Sequence, residues 1–225
     1  MIGYRIMKRR RAVSGDIARQ FLDLPVANVS DCMHRMFAGG ARLRPYYSGG
    51  RMAGAALTVR TRPGDNLMIH KALQLAQAGD VIVVDAGGDL TNALIGEIMV
   101  GHALKIGVAG IVINGAIRDA DELRAGPLPV FAAGVTHRGP YKDGPGEINI
   151  PITIDGMVIE PGDLVLGDGD GILAVRQDSA ADLLRATQAK QAAEVKMIAE
   201  IADGTYKAPW IDEILRRGGC FIETD

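Results

Sequence analysis

Two short runs constrain this chain more than anything else in it: Val81-Ile82-Val83-Val84 and Ile111-Val112-Ile113, apolar and β-branched at every position. A strand that covers a core with one face alternates apolar and polar side chains. A strand apolar throughout is buried on both faces, as in a parallel sheet covered on either side. Between the two runs, residues 91–105 place Leu94, Ile95, Ile98, Met99, His102 and Ala103 at helical spacing and close at Lys105 and Gly107. Strand, helix and strand in that order predict a β-α-β unit and an α/β protein.

The flanks extend this reading. Residues 16–37 read as two short helices broken at Pro25, with Ser30 or Asp31 available as a cap. Gly54–Thr61 has strand composition, Pro63-Gly64-Asp65 turns the chain, and Asn66–Gln77 carries a helical pattern that Gly79-Asp80 closes. From 148 to 176 short strands alternate with Asp155-Gly156, Pro161-Gly162-Asp163 and Asp168-Gly169-Asp170-Gly171, which predicts an antiparallel meander. A long helix over 178–202, with Leu183, Leu184, Val195, Ile198 and Ile201 as its apolar contacts, and a short helix over 209–217 complete the chain. The expected organisation is a flexible basic tail over 1–15, one domain over 16–203 and an extension over 204–225.

Lys and Arg number 25 against 27 Asp and Glu, so overall charge gives no basis for binding nucleic acid or an anionic membrane. The one basic cluster, Lys8-Arg9-Arg10-Arg11, falls in the expected tail and reads as a solvated, mobile segment. No uninterrupted apolar run is long enough to span a bilayer. Cys32 and Cys220, the only cysteines, are too few and too far apart for a disulfide framework, which points to a reducing, cytoplasmic setting.

In a partly parallel sheet, ligands gather beyond the carboxyl ends of the strands. One strand here runs out into Arg118-Asp119, and the helix after the other carries Gly96-Glu97. An aspartate offers a hard oxygen to Mg²⁺ or Mn²⁺, and an adjacent arginine can hold a carboxylate through two hydrogen bonds, a combination suited to a 2-oxo acid. The plainer reading has Arg118 paired with Asp121 or Glu122 on the surface and Asp119 capping the next helix. His34, His70, His102 and His137 show no metal-ligand spacing, and only His70 is a candidate to support a site from behind. No serine sits in a nucleophile-elbow motif.

Taken together, Gly79–Asp85, Gly96-Glu97-Ile98-Met99, Gly110–Asp119 and Asp163–Gly171 resemble the RraA-like family over about Asp23 to Glu200. That family includes the 4-hydroxy-4-methyl-2-oxoglutarate/4-carboxy-4-hydroxy-2-oxoadipate aldolases. The sharpest point of resemblance is the spacing from Glu97 to Arg118-Asp119, an acid followed by twenty residues and then Arg-Asp. The resemblance implies a swivelling β/β/α-type fold with a mixed sheet, assembled as a homotrimer or hexamer with sites between subunits. It implies a class II pyruvate aldolase acting on a small 2-oxo acid, with Asp119 holding a divalent metal, Mg²⁺ or Mn²⁺, and Arg118 steadying the pyruvyl enolate. Glu97 would hold a water, the amides of Gly96, Glu97, Ile98 and Met99 would receive the pyruvate carboxylate, and Asn66 would be a polar pocket residue. Asp31 and Glu194 would reach in from the neighbouring subunit. The familiar aldolase pattern has Asp where this chain has Glu97. A second branch of the family, regulators that bind and inhibit a ribonuclease or helicase, keeps the fold without the metal-binding Asp, whereas Asp119 is present here.

Overall fold

The computed structural model describes residues 2–37 and 39–223; Met1 of the expected tail and Thr224 and Asp225 of the expected extension lie outside them. The chain divides into two compact units, residues 1–188 and 189–225. That division falls inside the long helix; the expected boundaries were 15/16 and 203/204.

The first unit opens with β1 (Arg5–Ile6), α1 (Gly15–Phe21), α2 (Val26–Cys32), β2 (Arg44–Pro45), β3 (Met52–Thr61), α3 (Leu67–Leu75), β4 (Asp80–Asp85), β5 (Ala93–Ile95) and α4 (Glu97–Ile106). It continues with β6 (Gly110–Ile117), α5 (Ala120–Ala125), β7 (Val130–Val135), β8 (Gly146–Ile148), β9 (Ile152–Ile154), β10 (Met157–Ile159), β11 (Leu164–Asp168) and β12 (Gly171–Val175). The unit boundary lies within α6 (Ala180–Ala202), and the second unit holds α7 (Pro209–Arg217).

The result is a mixed α/β fold around a mixed sheet in the order β1-β8-β3-β4-β6-β7-β2. β3, β4, β6 and β7 run parallel at its centre, whereas β8 and β11 flank β3 antiparallel. The expected two-sided burial of the β4 run is observed: Val81, Ile82, Val83 and Val84 are all fully inaccessible. Ile82 and Val84 enter one apolar cluster with Met68, Ile69 and Met99, while Val81 and Val83 enter another with Ile152, Ile154 and Met157. Full burial of each such side chain contributes about 1.5–3 kcal/mol, which makes this strand a principal anchor of the fold. Turns close where glycine was expected to close them; α4 ends at Gly107, in the left-handed region at φ 85°, with its N–H bonded back to Ala103.

Three expectations need correction. Residues 91–105 do not form one helix: Ala93–Ile95 is a strand paired parallel with β6, and α4 begins only at Glu97. The apolar spacing fits a helix equally well, but pairing with β6 takes Ala93–Ile95 into the sheet. The expected meander over 148–176 is divided, because β9 and β10 pair only with each other while β11 and β12 join the main sheet.

The basic N-terminal segment is not a free tail. β1 pairs with β8, Arg9 meets Asp80 at 2.6 Å with both side chains largely buried, Arg11 pairs with Asp178, and Val13 is in the core. Asp80 at the start of β4 and Asp178 between β12 and α6 give these cations specific partners in place of water. Along α6, Leu183 and Leu184 are buried as expected, whereas Val195, Ile198 and Ile201 are 62%, 65% and 56% exposed. Among the described residues no helix is long and apolar enough to cross a membrane.

Candidate active site

The short strand β5 decides where the chemistry can sit. It runs parallel to β6, and the two end side by side: the Arg118 amide donates to the Ile95 carbonyl across 3.0 Å. Between Ala93 and Ile95 the pairing advances two residues on β5 against one on β6, so Leu94 is the extra residue of a bulge. Its carbonyl accepts 2.9 Å from Asn66 Nδ2 at the head of α3. The two strand tips, Gly96-Glu97 and Arg118-Asp119, are thus held against each other, and the head of α3 is pinned to the first.

Asp119 occupies the first position before α5 but does not cap it. Its backbone is left-handed, at φ 54° and ψ 44°, and its Oδ2 accepts from the Glu97 amide across 2.9 Å, with Arg118 Nε at 3.7 Å. The plainer reading of this pair is therefore not what the chain adopts, since Asp121 pairs with Arg124. A non-glycine residue held in the left-handed region carries strain, and such strain concentrates at functional positions. Gly96 is dictated by the same contact: a Cβ there would stand 2.2 Å from Asp119 Oδ2.

Around this pair lies a hollow of about 130 Å³, lined by Asn66, His70, Leu94, Gly96, Met99, Arg118, Asp119, Pro140 and Lys142 among others. At roughly 10–15 Å³ of such space per water molecule, this is room for a fragment the size of a short keto acid. Asn66 is 3% exposed, and its Oδ1 has no hydrogen-bond partner among the described residues while Nδ2 is satisfied. A buried acceptor left unmatched is costly and is available to a ligand hydroxyl. Burial first, and then Lys142 and His102, push His70 below its ordinary value, so its imidazole is neutral near pH 7.

The sequence-predicted residues Asn66, Gly96, Ile98, Met99, Arg118 and Asp119 all line this hollow, whereas Glu97 does not: it is exposed, and only its amide reaches the site, by donating to Asp119. The four amides expected to receive a carboxylate are not equivalent: that of Glu97 is engaged by Asp119 and that of Met99 turns back to the Gly96 carbonyl. The Ile98 amide, in the first turn of α4, has no acceptor one turn earlier within the helix. Asp31 is on α2 in an ion pair with Arg35 and does not line the hollow; Glu194 belongs to the second unit and pairs with Lys190. Lys142 was missed, because a single lysine in a loop carries no local signal of a pocket.

No group of three or more His, Cys, Asp or Glu side chains is arranged to hold a metal among the described residues. Asp119 is thus a single protein carboxylate, a donor set that suits a hard cation sharing its remaining positions with water and a chelating substrate.

Comparison with known proteins follows the same lines. A Halalkalibacterium halodurans protein provisionally named 4-hydroxy-4-methyl-2-oxoglutarate aldolase is 38% identical over 177 residues, 79% of this chain and 84% of its own length. An uncharacterized protein from Pseudomonas syringae pv. tomato superposes with TM-score 0.77 at 28% identity, covering 87% of this chain and 96% of that one. The Thermus thermophilis structure described as the RNA-processing inhibitor RraA gives TM-score 0.62 at 33% identity, covering 67% of this chain and 92% of that one. The family model described as RraA-like, Aldolase/RraA, matches residues 26–174, and the chain belongs to that family.

Proposed function

We propose that the protein is a divalent-metal-dependent aldolase that cleaves a 4-hydroxy-2-oxo dicarboxylic or tricarboxylic acid, of the 4-hydroxy-4-methyl-2-oxoglutarate type, into pyruvate and a second 2-oxo acid. The observation that carries this reading is Asp119 in a left-handed backbone, turned from helix capping to the mouth of a hollow beside Arg118. A relative 38% identical that bears an aldolase name supports it.

In the reaction the C3–C4 bond breaks, its electron pair passes to the pyruvyl half as an enolate, and the C4 hydroxyl loses a proton as C4 becomes a carbonyl. Mg²⁺ or Mn²⁺ on Asp119 would supply positive charge against the keto acid as that enolate develops. Arg118 provides the second, permanent positive charge, and its planar fork holds the oxygens of the pyruvyl group. The Ile98 amide is assigned to the pyruvate carboxylate, where the start of a helix favours negative charge. Asn66 Oδ1 accepts from a substrate hydroxyl, and Glu97 takes up the C4 proton through a water. Lys142 offers a counter-charge to a carboxylate beyond C4. Decarboxylation of oxaloacetate gives the same enolate and is the expected side activity.

As in the resemblance, we assign the working form to a homotrimer or hexamer in which Asp31 and Glu194 complete a neighbour's site, and the cytoplasm as its location. The test is pyruvate release coupled to lactate dehydrogenase, with and without chelator. Metal-stimulated release that is lost in Asp119→Ala supports the assignment; no release from any 4-hydroxy-2-oxo acid at high enzyme concentration overturns it. The likeness to the Thermus inhibitor structure favours one rival, a ring protein that binds a ribonuclease or helicase. Capture of such a partner that survives Asp119→Ala, without pyruvate release, would decide for it.

A further inference from the structure

The wall of the hollow that carries Asn66 and Lys142 is built from two segments far apart in sequence, the start of α3 and the loop 139–145, and one side chain joins them. Asp65 is fully buried. Its Oδ2 accepts from the amides of Asp143 at 2.7 Å and Gly144 at 2.8 Å and lies 3.1 Å from Arg62 Nη2, while Oδ1 accepts from the Leu67 amide at 2.9 Å. Main-chain bonds from Tyr141 N to the Gly64 carbonyl, 2.8 Å, and from Asn66 N to the Tyr141 carbonyl, 3.0 Å, complete the seam.

The loop so held carries Pro140 and Lys142, and the residue after Asp65 is Asn66; all three line the hollow, and Asp65 does not. A carboxylate that gathers three amides and a guanidinium makes charge-assisted hydrogen bonds that no neutral side chain of its shape reproduces, because an amide in its place turns a donor toward donors. Asp65 therefore meets no ligand directly. Asn66 keeps its own anchor, Nδ2 on the Leu94 carbonyl at 2.9 Å, so the effect of Asp65 on a ligand passes through the loop and Lys142.

We infer that Asp65 is a positioning residue that fixes the distal wall of the site, and with it the recognition of a carboxylate beyond C4, by clamping the 139–145 loop to the start of α3. The inference rests on the aldolase reading above. The pyruvyl half is handled at Arg118 and Asp119, outside the seam, so loosening Asp65 separates the two ends of the substrate. Recognition of the far carboxylate weakens while that of the near half holds.

The test compares wild type, Asp65→Asn, Lys142→Met and the combined variant with 4-hydroxy-2-oxoglutarate as substrate and pyruvate as competitive inhibitor. The expected result for Asp65→Asn is a KM raised about tenfold, the scale of one charge-assisted hydrogen bond, with kcat and the pyruvate inhibition constant within roughly twofold of wild type. Lys142→Met gives the same pattern, and the combined variant is no worse than Lys142→Met alone. KM and pyruvate inhibition weakening together, or neither changing, overturns the proposal. Hydrogen exchange on the wild-type protein keeps the question open to decision if Asp65→Asn does not fold. The Asp143 and Gly144 amides must then be strongly protected and Lys142→Met must keep its selective effect; exchange at unfolded-peptide rates overturns the clamp. A wild type that releases no pyruvate defeats the aldolase reading, while the exchange rates still judge the clamp by itself.

Discussion

The amide of Glu97 donates to the carboxylate of Asp119 across 2.9 Å, tying the first residue of α4 to the residue two beyond the end of β6. Twenty-one residues separate the pair in sequence, and the parallel pairing of β5 with β6 brings them together. The bond fixes which way the carboxylate faces and leaves its other oxygen outside this contact.

Gly96→Ala tests that geometry. At φ −153° the backbone of Gly96 tolerates a side chain, so any effect comes from the new methyl, 2.2 Å from Asp119 Oδ2 and 3.0 Å from Arg118 Cγ. A displacement of about 1 Å at a reacting group costs on the order of 100-fold in rate. Pyruvate release should fall by about that factor, with the far-ultraviolet circular dichroism of the variant unchanged.

Arg118→Lys keeps the positive charge and removes the fork. Because a lysine reaches a carboxylate or enolate as a point charge, kcat is expected to fall by roughly 100-fold, the scale for losing one preorganised donor to a developing oxyanion. Steady-state kinetics of pyruvate release reads this directly; a rate within twofold of wild type would remove Arg118 from the reaction.

His70 makes a pH-dependent contribution to stability. Its folded-state value lies below the ordinary 6.5, chiefly through burial and then through Lys142 and His102. The unfolded chain therefore takes up the proton more readily, so the contribution of neutral His70 is present above the unfolded value and is lost as pH falls through the folded one. Urea midpoints followed from roughly pH 8 to roughly pH 5 should decline on the acid side, and His70→Gln should flatten that decline.

Arg9→Ala leaves the Asp80 carboxylate, 4% exposed, with the Gln77 main-chain amide as its hydrogen-bond partner among the described residues. Removing one partner of a buried pair costs on the order of 3 kcal/mol. A correspondingly lower urea midpoint is expected, with the slope of the transition unchanged; a midpoint equal to that of wild type would mean that the Arg9–Asp80 pair contributes nothing to stability.

How much of this was legible in the sequence depends on whether a feature is set locally. The β4 and β6 runs declare themselves because no polar position interrupts them, and the helix expected over 209–217 is found over Pro209–Arg217, where a proline opens it and glycines close it. β5 was hidden: its three residues share the apolar spacing of α4, and only pairing with β6 makes them a strand. The basic segment was misread because the partners of Arg9 and Arg11 lie 71 and 167 residues away. At the site, Arg118 and Asp119 were candidates from their place at a strand end together with the family resemblance, whereas Lys142 owes its position to a loop fastened by Asp65, 78 and 79 residues upstream of the amides it holds.

The bulge at Leu94 acts as a spacer between scaffold and chemistry. Deleting that one residue would take a side chain 1% exposed out of the core and move the two strand tips out of step by one position. Gly96 and Glu97 would then stop one step short of Asp119, and Asn66 would lose the carbonyl that anchors it. A protein so shortened would lose core packing and alignment together, because the register of its two strand tips is counted out in single residues along the shortest strand that flanks them.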